Sequence, residues 1–483
     1  MQIEGCALHM GAFRVHSGMG NIMIKKLLIA NRGEIAVRII RACRELGIAT
    51  VAVYSRADKD ALHVKLADES VCIGEAPARE SYLKMERILC ATIASGADAV
   101  HPGFGFLSEN SKFANLCRRC NITFVGPDGD IIDRMGDKSA ARNTMIAAGV
   151  PVVPGTTEPV FDAEFGKQLA DAFGYPVIIK ASAGGGGKGM RIVRSKEEFI
   201  HLFETASTEA KNAFGDDSMY IEKYIEHARH IEFQILADNY GNVIHLGERD
   251  CSVQRRHQKM IEESPSVALD EKLRQEMGGV AVRAAKAAGY HNAGTIEFIL
   301  DSDKNYYFIE MNTRIQVEHG VTELVTGLDL IKEQLKLASG EKLSLAQEDV
   351  VLRGHALECR INAECPERGF LPSPGKIGGF HMPGGNGVRI DTALYAGYTM
   401  PAMYDSLAAK VMTLGADRAE AVAKMKGVLS ELVIDGIETN KDFQRGLLDE
   451  PEFVSGVIDT DFVGNLLERK KGQGERQAGE MGA

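Results

Sequence analysis

The sequence predicts an α/β protein, α+β in parts, and three local patterns carry that prediction. KKLLIA (25–30), EIAVRIIRACRELG (34–47) and ATVAVYS (49–55) read as strand, amphipathic helix and strand, an opening that implies a parallel sheet with helices on its faces. PVIIKASAGGGGKGMRIV (176–193) clamps a glycine-rich loop between two strand-like runs. GTIEFIL and NYYFIEMN, joined by the polar turn DSDKN, form a hairpin within residues 294–312.

Along the chain, DAVHPGFGFLSEN (98–110) and ITFVGPDGD (122–130) read as later strands ending in Gly/Pro-rich turns. PVVPGTTEP (151–159) is a linker into a smaller unit holding the glycine loop, and YIEKYIEHARHIEFQIL (220–236) leads out of it. KLRQEMGGVAVRAAKAAGY (272–290) predicts a helix, and a further β-rich segment starts near Val351. The first 22 residues lack a basic region and a clean apolar core, so they read as a tail rather than a signal peptide, with Met23 an alternative start. RKKGQGERQAGEMGA at the other end is polar and Gly-rich, and reads as disordered.

A chain of 483 residues has room for two or three domains. Its net charge of −11 argues against a bulk binder of nucleic acid or anionic membrane. No apolar run approaches the roughly 20 residues that span a bilayer. Nine scattered cysteines suit a reducing compartment, and a cytoplasmic location is expected. Cys117 and Cys120 have CxxC spacing but no second pair for zinc, and read as helix-end cysteines.

The glycine loop fails the P-loop pattern, with Ser182 at the first glycine position and Gly189 where a hydroxyl should follow Lys188. Gly184, Gly186 and Gly189 satisfy G-x-G-x-x-G, but the β-like MRIV follows where a dinucleotide fingerprint needs a helix. A strand–loop–strand hairpin can instead fold over phosphates with its backbone N–H groups, with Lys180 supplying a charge at the strand end.

The carboxylate hairpin is more informative. A turn at DSDKN sets Glu297 opposite Glu310, and strand alternation puts Glu310, Asn312, Arg314, Gln316 and Glu318 on one face if extension persists. Ile309, Met311, Ile315 and Val317 then face apolar packing. Two glutamates and an asparagine, with no thiolate or imidazole beside them, suit Mg²⁺ or Mn²⁺ bridging nucleotide phosphates. Arg314 can grip an anion, and Glu318 is a candidate base. In HALECRINAE (355–364), Arg360 matters only if its strand reaches the hairpin. QRRHQK (254–259) is a solvated turn or, beside phosphate, an anion cradle.

IANRGEIAVRIIRACRELGI, HPGFGFLSEN, MGDKSAAR, KASAGGGGKGM, RDCSVQRRHQK, FIEMNTRIQVEHG, HALECRINAE and FLPSPGKI together resemble biotin carboxylase, over about residues 25–467 and in order. The resemblance implies a Rossmann-like N-terminal domain (23–136), an ATP-grasp domain (137–346) with a mobile glycine-rich lid (about 155–225) and a β-rich C-terminal domain (351–467), flanked by tails 1–22 and 468–483. It implies that ATP phosphorylates bicarbonate to carboxyphosphate, whose CO2 is captured by biotin on a carrier protein. Lys138, Lys180, Glu222, Lys223, His230, Gln254 and His257 would bind ATP, with Gly184, Gly185, Gly186 and Gly187 closing over it. Glu297, Glu310 and Asn312 would hold magnesium or manganese. Lys259, Arg314, Gln316 and Val317 would position bicarbonate, Glu318 would deprotonate it, and Arg360 would stabilise the biotin enolate.

The implied partners are a biotin carboxyl carrier protein, a carboxyltransferase and a second copy of the chain. The acyl acceptor, whether acetyl-CoA as in fatty acid biosynthesis, pyruvate or propionyl-CoA, lies with the carboxyltransferase. Two positions depart from the family pattern: Phe104 replaces a common tyrosine, removing a hydroxyl contact to biotin, and Gly320 replaces a common proline, which would loosen the turn after Glu318. AKMKG (423–427) faintly resembles a biotinylation site, but the order is wrong and the stretch is helical. An ATP-grasp ligase with another acceptor would not carry RIQVEHG together with HALECRINAE, and a non-catalytic nucleotide-binding subunit would not retain Glu318, Arg314 and Lys259. If Ala183–Gly189 is a nucleotide lid, ATP will suppress limited proteolysis within it; cutting that nucleotide does not suppress would count against the lid.

Overall fold

The computed structural model of the chain describes residues 23–181 and 190–481, so Gly184–Gly187 lie outside the described residues. The predicted strand–helix–strand opening is present. Strands β1 (Lys26–Ile29), β2 (Ala49–Ser55), β3 (Glu69–Gly74), β4 (Ala99–His101) and β5 (Thr123–Phe124) form a parallel sheet in the order β3-β2-β1-β4-β5. That order reverses at β1/β4, the place where doubly wound sheets open a crevice. The helix Gly33–Glu45 lays Ile35, Ile39 and Ile40 against Leu27 and Ile29 of β1.

A smaller unit follows. Strands β6 (Val177–Ala181), β7 (Met190–Val193) and β8 (Met219–Lys223) make an antiparallel sheet, β7-β6-β8. The helices Ala163–Phe173 and Phe199–Phe214 close over it around Val177, Ile179, Phe199, Phe203 and Ile221.

The largest sheet spans the rest of the chain. It contains β9 (Arg229–Ala237), β10 (Val243–Arg255), β11 (Gln258–Ser264), β12 (Asn292–Leu300), β13 (Tyr306–Asn312) and β14 (His355–Asn362). Past the short pairs β15 (Glu364–Cys365) with β16 (Leu371–Pro372), β17 (Gly375–Lys376) with β20 (Thr399–Met400) and β18 (Phe380–His381) with β22 (Val433–Ile434), it gains β19 (Val388–Thr392) and β21 (Leu407–Gly415). The order is β13-β12-β9-β10-β11-β14-β21-β19, with each neighbouring pair antiparallel. On β9, Ile231, Phe233 and Ile235 enter an apolar core with Ile296 and Phe298, so the alternate residues His230, Glu232 and Gln234 turn to the opposite, polar face.

Three expectations need correction. Extension does not persist past Asn312: β13 ends there, residues 313–318 make an irregular loop, and a helix runs His319–Thr326. Ile309 is exposed rather than packed, because Glu297 pairs with Glu310 while Phe298 pairs with Phe308, leaving Ile309 as the extra residue of a bulge. The C-terminal segment is helical as Phe462–Met481, rooted by buried Phe462, Val463 and Leu466 and continued through Glu, Arg, Lys and Gln, all good helix formers. AKMKG lies inside the helix Arg418–Glu431. Cys117 is buried near the end of the helix Ser111–Arg119, its thiol pushed up to about 12 chiefly by burial, and Cys120 is exposed and unpaired just beyond.

Beside His319, whose pKa burial holds well below its ordinary value, three buried histidines set part of the acid limit of the fold. His101 accepts from the Gly103 N–H on Nδ1 and faces Gln334 Oε1 with Nε2 at 3.2 Å, and burial pushes its pKa down to about 3. Burial likewise lowers His63 and His245 to about 4. All three are neutral when folded and protonate near pH 6.5 when unfolded, so their contribution is full above that pH and is lost as pH falls toward 4. The denaturation midpoint will therefore fall between pH 7 and 5, each histidine contributing on the order of 1.4 kcal/mol per pH unit below its unfolded pKa. His101→Gln will flatten part of that acid limb in denaturant titrations.

Candidate active site

The polar face of the large sheet carries charged residues in register. Glu310 pairs with Glu297, Glu297 with Glu232, and Glu232 with Arg249; further along, Arg360 pairs with Lys410 and Lys410 with Asp391. Strands β9 to β12 are largely buried on both faces, so each charge here must find a partner or be neutralised.

Lys259 provides the central partner. Its Nζ lies 2.5 Å from Glu232 Oε2, 2.7 Å from Glu318 Oε1 and 3.1 Å from Glu297 Oε1. Burial opposes its charge, but the three carboxylates outweigh it and hold the ammonium well above its ordinary value. Arg249, wholly buried beneath, donates Nε to Glu232 Oε1 at 2.6 Å, Nη1 to Gln234 and Thr322, and Nη2 to Thr295. His230 Nε2 sits 3.0 Å from Glu297 Oε2, and that carboxylate overrides burial to raise the imidazole pKa.

Glu318 is fully buried between two cations. Oε1 meets Lys259, and Oε2 accepts from Arg360 Nη2 at 2.9 Å. Burial alone would raise its pKa, but Lys259, Arg360 and Arg249 together hold the carboxyl well below the usual range. Arg360 therefore does reach the hairpin's continuation, although β14 lies well away from β12 across the sheet, with β9, β10 and β11 between them. Its Nε donates to Glu262 Oε1 at 2.5 Å.

Arg314 is held by Glu109 of the N-terminal unit (2.9 Å), by Gln316 Oε1 (2.8 Å) and by Asn312 Oδ1 (3.0 Å). Asn312 Nδ2 and Gln316 Nε2 in turn donate to Glu297 Oε1 at 2.8 and 3.0 Å. The polar residues predicted to share one strand face thus converge without a strand, because the loop after Asn312 curls them back over Glu297. Val317, partly buried, follows in the same loop.

Glu310 differs from this network. Among the described residues its carboxylate makes no hydrogen bond or ion pair; it opens to solvent, and desolvation followed by the Glu297 charge raises its pKa. An acid left without a cation, opposite a second acid and an amide, fits a divalent metal with hard oxygen ligands.

The remaining candidates separate. Lys180 pairs with Glu222 across β6 and β8. Lys223, next on β8, instead spends its ammonium on the Gly174 and Tyr175 carbonyls at 2.9 Å, away from that pair. Lys138 is exposed at the start of the helix Lys138–Ala147, near enough to Glu310 to lower its pKa. Gln254 is buried opposite Lys259, one pair in from the turn of the β10–β11 hairpin, and His257 is exposed at the hairpin tip with φ +64°.

Sequence reasoning missed Glu232, Arg249, Glu262 and Glu109. A signal existed for the first: in RHIEFQILA, Glu232 and Gln234 interrupt the apolar run from Ile231 to Ala237.

A small antiparallel sheet beside a large antiparallel sheet with paired glutamates is the arrangement of an ATP-grasp enzyme. Family models match the chain in succession: "Biotin carboxylase, N-terminal domain" at residues 23–132, "Carbamoyl-phosphate synthase L chain, ATP binding domain" at 137–346 and "Biotin carboxylase C-terminal domain" at 358–465. Biotin carboxylase 1 of Bacillus subtilis is 61% identical over 442 residues, covering 91% of this chain and 98% of that protein. The Nostoc biotin carboxylase is 58% identical over 438 residues, covering 91% and 98%. A Campylobacter jejuni biotin carboxylase complex superposes with TM-score 0.87 at 50% identity, covering 92% and 99%. The biotin carboxylase domain dimer of Hydrogenobacter thermophilus 2-oxoglutarate carboxylase, bound to MgADP, ADP and bicarbonate, gives 0.85 at 49%, covering 92% and 98%. The chain belongs to the biotin carboxylase family.

Arg249→Met would leave Glu232 Oε1 and Gln234 Oε1 buried without their donor. Breaking such a buried pair costs about 3–5 kcal/mol, and urea denaturation should register a loss of that size.

Proposed function

We infer that this chain catalyses ATP-dependent carboxylation of biotin with bicarbonate, giving carboxybiotin, ADP and phosphate. The observation that carries the reading is a buried carboxylate, Glu318, held ionised between Lys259 and Arg360 beside an arginine and a lone metal-suited acid.

Bicarbonate is a weak nucleophile until its proton is removed. In the resting site Glu318 is ionised but a poor base, because the cations around it stabilise its charge. An anion bound by Lys259, Arg314, Gln316 and the Val317 backbone would draw on those same cations and raise the proton affinity of Glu318. Binding of the substrate would thereby create its own base. Glu297, Glu310 and Asn312 would hold Mg²⁺ or Mn²⁺, which neutralises charge on the transferring phosphoryl group. Lys138, Lys180, Glu222, Lys223, His230, Gln254 and His257 make the nucleotide end, Lys223 through its main chain, with Gly184–Gly187 as lid. Arg360, turning from Glu318 to the ureido oxygen of biotin, would stabilise the developing enolate.

The biotin would be carried by a separate carrier protein, with a carboxyltransferase as further partner. A homodimer is supported by the dimeric similar domain from Hydrogenobacter. A pyruvate carboxylase subunit from Methanothermobacter thermautotrophicus, at 52% identity, makes pyruvate one acyl acceptor consistent with this site. Among the described residues no helix is long and apolar enough to cross a membrane; a cytoplasmic location is part of the proposal.

Purified protein should release ADP in a bicarbonate-dependent reaction that free biotin stimulates; turnover indifferent to both would sink the reading. Glu318→Gln should lower that turnover by roughly 10²–10⁴-fold while ATP binding, followed by calorimetry, is retained.

A further inference from the structure

Lys410 is a wholly buried lysine on β21 that none of the roles above uses. Its Nζ donates to the Val317 carbonyl at 2.8 Å and lies 3.3 Å from Glu34 Oε1 and 3.8 Å from Asp391 Oδ2. Three separate parts of the chain meet at this ammonium: the first turn of the helix Gly33–Glu45, the loop after β13, and the last two strands of the large sheet. Burying a lysine costs several kcal/mol unless it is well paired, so a plain packing role would be served better by an apolar residue.

The acceptor gives the lysine its meaning. The Val317 carbonyl belongs to the peptide whose N–H and next Cα are those of Glu318. Because a peptide is planar, fixing its oxygen fixes the direction in which the Glu318 Cα leaves the loop. The other side of the same segment is also held. Arg389 binds Asp391 with two hydrogen bonds (3.1 and 2.7 Å) and reaches Glu323 Oε2 at 2.6 Å, and Glu323 Oε1 accepts from Arg38 at 2.9 Å. The helix that begins immediately after Glu318 is thereby tied to the N-terminal helix and to β19.

We propose that Lys410 is a positioning residue for the carboxylation reaction: it grips the Val317 carbonyl from within the sheet and sets the peptide plane that aims the Glu318 carboxylate. This rests on the reading of Glu318 as the base. A geometric role predicts a specific kinetic signature, since a misplacement of about 1 Å can cost on the order of 10²-fold in rate without weakening binding elsewhere.

The test is Lys410→Met in the full chain, close to the lysine in shape but without the donor. Bicarbonate-dependent ADP release should fall in kcat by about 10- to 100-fold, with the bicarbonate KM raised and the ATP dissociation constant unchanged. A folded variant with wild-type kcat overturns the proposal, as does one that loses ATP affinity in proportion to rate. Should Lys410→Met not fold, Glu34→Gln decides when assayed above about pH 8: burial raises the Glu34 pKa to about 7, so its carboxylate is charged there, and the variant keeps the side-chain shape while removing that charge beside the ammonium. A several-fold drop in kcat with ATP binding intact supports the proposal, and an unchanged kcat overturns it. Glu318→Gln run in parallel separates the two readings. If that variant is inactive while Lys410→Met is fully active, only the positioning role falls; if both turn over normally, the base assignment falls with it.

Discussion

One ammonium organises the site. Lys259 touches carboxylates from β9, β12 and the loop before the helix His319–Thr326, and these three would repel one another without it. At a few ångströms in a poorly hydrated environment, each like-charge contact would cost several kcal/mol, while each contact to the lysine returns a similar amount. Replacing the lysine by a neutral group would push the carboxyls apart or force them to take up protons. The distances among Glu232, Glu297 and Glu318 are therefore set by a shared cation, and so is the space left for a substrate anion beside it.

The large antiparallel sheet makes this arrangement possible. Its register brings acids and bases from distant sequence positions into shared rows, three acids beside Arg249 in one and Arg360 and Lys410 beside Asp391 in another. Because the opposite face of the same strands is packed around Phe233, Ile296 and Phe298, no strand can slip by one residue without exchanging charges for core side chains. The apolar packing thus fixes the electrostatics. Glu310 at the edge strand, outside the network and open to solvent, is left free for a ligand of opposite charge.

Much of this was legible in the sequence, for identifiable reasons. The Glu297–Glu310 pairing follows from a turn and two alternating strands, all close together in the chain, and the register bears it out. Local alternation said nothing of where a strand stops, so the bend after Asn312 was invisible; its polar residues converge because Arg314, Asn312 and Gln316 bond to one another and to Glu297. Glu232, Arg249 and Lys410 were harder. Glu232 and Lys410 sit in largely apolar runs and Arg249 in the charged run GERD, and each finds its partner on another element, as far off as the N-terminal helix for Lys410. Only the assembled sheet shows that they are paired. Lys223 shows the converse, a lysine beside Glu222 in sequence whose side chain faces the other way because alternation sends it there.

The Gly320 departure has a physical account in the same terms. The turn after Glu318 is not loosened, since the helix begins at His319 and both Glu318 and His319 are wholly buried. A Cβ at position 320 would lie 2.2 Å from Met412 Sδ and 3.5 Å from Glu358 Oε2. The methionine side chain, on the strand that also carries Lys410 and directly opposite Glu358 in register, occupies the room a larger residue would need. Among the described residues Glu358 itself has neither oxygen bonded, and burial, against the pull of Lys410, pushes its pKa well above the ordinary range. A side chain at position 320 therefore needs the Met412 thioether, the flexible end of that residue, to swing aside.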